Sequence, residues 1–290
     1  MKFTLGIALN PLDQLAALAR TAEECGFSAI ALPDSIFFAE QVGAKYPYTP
    51  DGSRFWTGET PWADPMVLAA ALGAVTERIR FYTQVLKLGP RHPVLLARQI
   101  GSVAALTGNR FGLGVGLGWN PEEAQWCGTP FAERAGRSDE AIEVLRLILG
   151  GGMVEYHGKH FDFGRLQMSP APTAPVPIYV GGHTEPALRR AARVSDGWTS
   201  AMIRLEDLRS IVTRLAELRA DYGRADEPFE IQAVCIDAPG LDGFRRQADA
   251  GVTDAIVMPW MVKGSGPEAP LTVKQDAIRR FADHIIGPLS

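Results

Sequence analysis

Short apolar runs alternate with amphipathic helical stretches along the whole of this 290-residue chain, and that alternation limits the fold more than any other feature. FTLGIAL (3–9) reads as a strand and runs into DQLAALARTAEECGF, a helix whose end is marked by Gly26. SAIALP (28–33) is a second strand, followed by an irregular segment, 34–62, rich in Pro, Gly and aromatic residues. RIRFYTQVLKL with PVLLARQIGSVAAL makes a third unit, and RFGLGVGLG with a helix across 130–149 makes a fourth. GMVEYHGKHFDF (152–163) breaks the rhythm as a β-hairpin turning at His157-Gly158. Four more units follow: VPIYVGG with TEPALRRAARV, GWTSA with a helix over 204–222, FEIQAVCI with a helix over 241–250, and TDAIVMPW with a helix over 271–286.

Eight strand–helix units with no compositional boundary predict one domain, 1–290, folded as an α/β (β/α)8 barrel. A doubly wound sheet with a small appended domain is the alternative. A barrel directs attention to the C-terminal ends of its strands, where loops carry the chemistry. A net charge of −4 argues against a general affinity for nucleic acid. No apolar run is long enough for a membrane span, and the first ten residues, MKFTLGIALN, are too short for a signal peptide. Three scattered cysteines without CxxC spacing predict a reducing, cytoplasmic setting.

RFGLGVGLGWNPEE (110–123) places Gly112, Gly114, Gly116 and Gly118 on alternate positions and ends on Trp119. GxGxG is not the dinucleotide fingerprint, and the unit is fourth in the chain rather than first. Packing in a narrow barrel accounts for Gly112 and Gly114. Gly116 and Gly118, at the strand end, would let a flat ligand approach, with the indole of Trp119 as a wall.

Asp34, after the second strand, would cap a turn or accept a hydrogen bond from a ring N–H. Arg91 and His92 end the third strand and form either a solvated loop or a cationic mouth for an anion. In GGHTEPALRRAA, Gly181 and Gly182 end a strand, and His183 or Thr184 can cap the next helix, whose positive end would then face the mouth. Glu122 and Glu123 read as complements to a helix dipole, and Arg134 and Arg137 as surface charges. His157, His160 and His284 have no metal-ligand spacing and read as structural, so no metal is expected. Gly-x-Ser-x-Gly, HExxH and Walker sequences are absent. A chain without a nucleophile, a metal set or a base pair points to chemistry carried by a bound cofactor.

The stretches YPYTPDG (46–52), WADPMVLAAALGAVTERIRF (62–81), GPRHPVLLARQ (89–99), GLGVGLGWNPEE (112–123), FAERAGRSDEAIEVLR (131–146) and VPIYVGGHTEPALRRAARVSDGW (176–198) resemble the luciferase-like monooxygenase superfamily. Within it, the chain is similar to bacterial oxidoreductases that use the deazaflavin coenzyme F420. The resemblance implies an eight-stranded barrel with a ring system lying across the strand ends. It aligns Asp34 with an acidic residue at the ring. Members often have His next, where this chain has Ser35, so proton removal by that histidine is not implied. It also implies a non-prolyl cis peptide at Gln84–Val85, behind the ring. Gly116, Gly118 and Trp119 correspond to the strand-four wall, Gly181, Gly182, His183 and Thr184 to the phosphate segment, and Thr199 to a cofactor-lining position. Sugar-phosphate dehydrogenases of the superfamily carry Glu at the position of Trp119, which argues against that activity.

The expectation is a hydride-transfer oxidoreductase that binds F420 and a small organic substrate, in a homodimer. Phe37, Phe38, Tyr46, Tyr48, Phe55 and Trp56 make the 34–62 loop aromatic, either as packing on the rim or as a cover for substrate. An FMN-dependent monooxygenase is the rival enzyme, and a non-catalytic flavin or deazaflavin carrier is the rival of another class.

Overall fold

The computed structural model describes residues 1–289 and has the expected architecture, a closed barrel of parallel strands with helices between them. In chain order the strands are β1 (Lys2–Gly6), β2 (Ala29–Leu32), β3 (Arg80–Thr83), β4 (Leu86–Lys87), β5 (Phe111–Gly116), β6 (Met153–His157), β7 (Asp162–Gln167), β8 (Ile178–Gly181), β9 (Gly197–Ile203), β10 (Glu230–Cys235) and β11 (Asp254–Val257). Eight of them form the barrel wall, and the two-residue β4 continues β3. Closure comes from β3 beside β5, with Phe81 opposite Phe111. The runner-up doubly wound sheet is excluded, because an open sheet has no such closing pair.

Helices α1 (Leu15–Glu24), α2 (Pro65–Gly73), α3 (Pro93–Thr107), α4 (Pro121–Trp126), α5 (Arg134–Leu149), α6 (Glu185–Val194), α7 (Leu205–Asp221), α8 (Gly240–Asp249) and α9 (Leu271–Phe281) surround it. Their starts follow local chemistry. Asp64 accepts from the N–H groups of Met66 and Val67, and proline occupies the first turn of α2, where no N–H is needed. His92 caps α3 in the same way, and Gly108, at φ 63°, ends it. The last helix passes into a π turn over 282–286, within the segment expected to be helical.

The hairpin is β6 with β7, antiparallel, and it extends past the expected boundary to Gln167. Its turn closes with Gly158 N–H donating to Phe161 O (2.9 Å), and Tyr156 Oη donates to Glu143 Oε2 on α5 (2.9 Å). Phe161 is buried, so the insertion packs on the barrel's outer layer rather than standing free.

The glycine strand owes its bareness first to close packing. A Cβ on Gly114 would stand 1.9 Å from the carbonyl oxygen of Thr83, so no side chain fits where β3 and β5 close the barrel. Thr83 Oγ1 donates to Gly114 O across that seam (2.6 Å). Below it, Tyr179 fills the space beside Gly112, where an added Cβ would be 3.1 Å away.

Candidate active site

The peptide bond Gln84–Val85 is cis, as the resemblance implied, and it separates β3 from β4. Val85 projects towards two neighbouring glycines. Its γ-methyls would lie 2.7 Å from a Cβ on Gly116 and 3.1 Å from one on Gly181. Gly116 is therefore bare to admit Val85, which corrects the expectation that its emptiness serves a ligand directly. Gly118 differs: its φ is 80°, a region that favours glycine, and an added Cβ would meet nothing closer than the Lys87 stem at 3.6 Å.

Gln84 turns its amide across the strand ends, donating to Ser200 O (2.6 Å) and Thr199 Oγ1 (3.3 Å). Trp198 Nε1 donates to Gly182 O (2.8 Å), and its indole lies beside the ring of His183 at 5.7 Å. Burial holds the His183 imidazole below its usual pKa, against a smaller opposing pull from Asp207. Its Nε2 is buried with no hydrogen-bond partner. Thr184 stands at the N-cap of α6, but its side chain makes no capping bond.

Asp34 is not an open acceptor. Arg91 grips its carboxylate from both sides (2.8 and 2.9 Å), and Lys87 N–H adds a third bond at 3.0 Å. The carboxylate side chain is 2% exposed. This bidentate pair orients the residues just after strand three. It also corrects the reading of Arg91 as a free cation at the mouth. His92 caps α3 and packs against Phe161.

A second ion pair had no counterpart in the sequence reading. Lys87 Nζ lies 2.7 Å from Glu123 Oε1 and 2.6 Å from Oε2, with both side chains largely buried. Glu123 Oε1 also accepts from Ile36 N–H (3.2 Å), while Glu122 Oε1 accepts from Gly43 N–H (2.9 Å). The two glutamates do stand in the first turn of α4, behind an Asn120 cap. Their main work, however, is to hold the 34–62 loop over the barrel mouth. Arg134 and Arg137, expected on the surface, are half-buried against the rings of Phe131 and Phe161.

That loop carries aromatic rings across the rim. Trp119 meets Tyr46 (5.3 Å between centroids), Tyr46 meets Tyr48 (5.6 Å), and Tyr48 meets His183 (5.3 Å). Edge-to-face contacts of this kind add to the apolar burial and favour one arrangement of the loop. Phe37 stacks on Trp126 at the loop's outer margin, so packing on the rim describes these rings.

The structure thus gathers Asp34, Gln84, Val85, Gly116, Gly118, Trp119, Gly181, Gly182, His183, Thr184 and Thr199 around the C-terminal ends of five strands. Lys87 and Glu123 were missed because neither spacing nor composition signals a pair separated by 36 residues.

The model of the luciferase-like monooxygenases matches residues 4–237. The chain belongs to that family. An uncharacterised protein of Mycobacterium tuberculosis is 44% identical over 288 residues, 99% of each chain. The F420-dependent glucose-6-phosphate dehydrogenase of Nakamurella multipartita is 31% identical over 190 residues, 64% of this chain and 51% of that protein. Two solved structures share the fold. The coenzyme F420-dependent tetrahydromethanopterin reductase of Methanopyrus kandleri superposes with a TM-score of 0.76 at 17% identity, over 100% of this chain and 99% of the other. Monooxygenase RslO1 of Streptomyces bottropensis gives 0.74 at 18%, over 100% of both. The last three are, by name, an F420-dependent dehydrogenase, an F420-dependent reductase and a monooxygenase. No helix among the described residues of this family member is long and apolar enough to cross a membrane.

Proposed function

We propose that the chain is a hydride-transfer oxidoreductase that binds coenzyme F420 in the barrel mouth and acts on a small organic molecule under the 34–62 loop. The observation that carries this reading is the combination of Gly118, open at the end of β5, with His183 Nε2, buried and unpaired just past the end of the neighbouring β8. A buried polar atom without a partner calls for an explanation, and at a strand end of the mouth a ligand group supplies one. Thr184 leaves the first turn of α6 without a side-chain cap, so Glu185 N–H adds a backbone donor for a phosphate (Pro186 has none and Ala187 N–H donates to Thr184 O), and the residues fit a deazaflavin or flavin nucleotide. The F420-dependent dehydrogenase of Nakamurella, at 31% identity, supports the deazaflavin.

When bound, the deazaflavin supplies a carbon centre that accepts or donates a hydride. The chain's own part is placement. Gln84 and Thr199 present amide and hydroxyl groups at the strand ends, and Trp119 closes one side. Asp34 acts through Arg91 as a positioning residue. The aromatic loop excludes water, which favours hydride transfer over side reactions.

Titrating the purified protein with F420 and with FMN, side by side, tests the reading. Tight binding of F420 alone is expected. Preference for FMN would move the protein to the oxygen-using branch, and binding without turnover of any acceptor would leave a carrier. Gly118→Val should abolish coenzyme binding while costing about 1–3 kcal/mol of stability from backbone strain. Gly223→Val is the control, since that residue has a similar φ of 70° and no neighbour within 4 Å of an added Cβ. Equal coenzyme affinity in the two variants would refute the assignment of Gly118.

The homodimer is also part of this proposal. Helix α2, PMVLAAALG, is apolar on every side, yet Val67 is 68% exposed, and Leu95 on the adjoining α3 is 69% exposed. A helix apolar all round belongs in an interior, and a second copy of the chain would provide one. Val67→Lys with Leu95→Glu should convert a dimer to a monomer in sedimentation velocity. A dimer that survives both changes would place the interface elsewhere.

A further inference from the structure

Between the 34–62 loop and Trp119 lies a cavity of about 370 Å3, within the size range of small-molecule sites. Three aromatic residues stand in its wall, Phe38, Trp56 and Trp119, beside Ser53, Gly52 and two small apolar side chains. One lining residue is charged, Arg54. Its guanidinium lies 3.7 Å over the Phe38 ring and donates to Ala39 O (2.7 Å) and Glu40 O (3.3 Å). These contacts hold the group in one place without neutralising it. Among the described residues no carboxylate comes within 4.0 Å of Arg54. Asp51, the nearest acid in sequence, is instead turned to Ser53, accepting from its N–H (3.0 Å) and Oγ (2.8 Å).

Two further cations of the mouth are spent, Arg91 on Asp34 and Lys87 on Glu123, and Lys45, beside Gly52, is exposed and not anchored as Arg54 is. Arg54 is left as a pre-oriented, half-buried positive group in a cavity that also presents the indoles of Trp56 and Trp119. A guanidinium has five N–H donors in a planar fork, and two of them are used here. The remaining donors match a carboxylate, whereas an indole wall matches a flat ring. Trp119 is shared with the strand-end wall, so a molecule in this cavity borders the proposed coenzyme position.

We infer that this cavity is the substrate subsite and that it takes a planar aromatic carboxylate, its acid group paired with Arg54 and its ring lying against the edge-to-face pair of Trp56 and Trp119. The role as a substrate subsite rests on the oxidoreductase reading; the binding itself does not.

Calorimetric titration of the full chain with 2-naphthoate and with 2-naphthamide tests it, in wild type, Arg54→Gln and Arg54→Lys. The acid should bind saturably, and Arg54→Gln should weaken it about tenfold or more, as expected for loss of a hydrogen-bonded charge pair. Arg54→Lys should retain part of the affinity, and the amide should bind all three proteins alike. Equal affinity for acid and amide, or an acid affinity untouched by Arg54→Gln, would overturn the inference. So would the absence of saturable binding by the acid. Coenzyme titrations on the same proteins separate the two claims. Acid binding without F420 binding would sink the oxidoreductase reading and leave the carboxylate site standing. A fall in F420 affinity with Arg54→Gln would assign the cavity to the coenzyme and overturn the substrate subsite.

Discussion

Glu123→Ala is expected to cost about 3–5 kcal/mol, because it leaves the Lys87 ammonium buried without its counter-charge. The loss should reach the site as well. Glu123 Oε1 receives Ile36 N–H, so the loop that carries Tyr46 and Tyr48 loses an anchor beside Asp34. Urea unfolding read by tryptophan fluorescence measures the stability, and coenzyme titration measures the site. The double variant Lys87→Met/Glu123→Leu separates the two effects. Apolar replacement of a buried pair is often neutral, so stability should largely return. Coenzyme affinity should stay low, since Ile36 N–H still lacks its acceptor. A loss under 1 kcal/mol in Glu123→Ala would mean that the pair is solvated and the loop is held by its aromatic contacts alone.

The second large effect lies at the opposite end of the barrel. Asp254 is buried on β11, where Thr4 Oγ1 donates to its Oδ2 (2.7 Å). Its Oδ1 and the Oε1 of Gln232, on the neighbouring strand in register, are both acceptors without a donor. Burial pushes the Asp254 carboxyl up to about 6 from 3.8; Glu230 adds to that rise, while the Thr4 hydrogen bond, Lys2 and Arg80 oppose it. The folded state therefore holds this proton more tightly than the unfolded chain. The stability it contributes is present below about pH 4 and is lost as pH rises through about 6. Two pH units correspond to about 3 kcal/mol. Asp254→Asn keeps the acceptor for Thr4 and turns Oδ1 into a donor. It should therefore be more stable than wild type by up to about 3 kcal/mol at pH 7.5, with the gain vanishing near pH 4. Denaturant midpoints at the two pH values decide it. A gain of the same size at both would show that Asp254 does not titrate in this window.

Much of the site was legible before any coordinates. The order of strands and helices located the strand ends, and resemblance supplied Gln84–Val85, Trp119 and the GGHT segment. What escaped were interactions set by contact in space. Lys87 reads as one more residue of a strand and Glu123 as one more helix charge, yet they meet. Arg91 reads as a free cation, yet Asp34 neutralises it. Gly116 reads as room for a ring, yet Val85 takes the space.

The sequence by itself determined the barrel and the order and direction of its strands. Periodicity and capping are local: alternating apolar residues and turn residues specify elements within a few positions of themselves, and eight such units close in one way. Only the tertiary structure decided which charges are paired and which is left over. Arg54, Arg91 and Lys87 are alike as letters. Which one remains available to a ligand depends on what the folded chain brings within 3 Å of each, and residues 34–62, packed by their aromatic rings onto loops far away in sequence, make that choice.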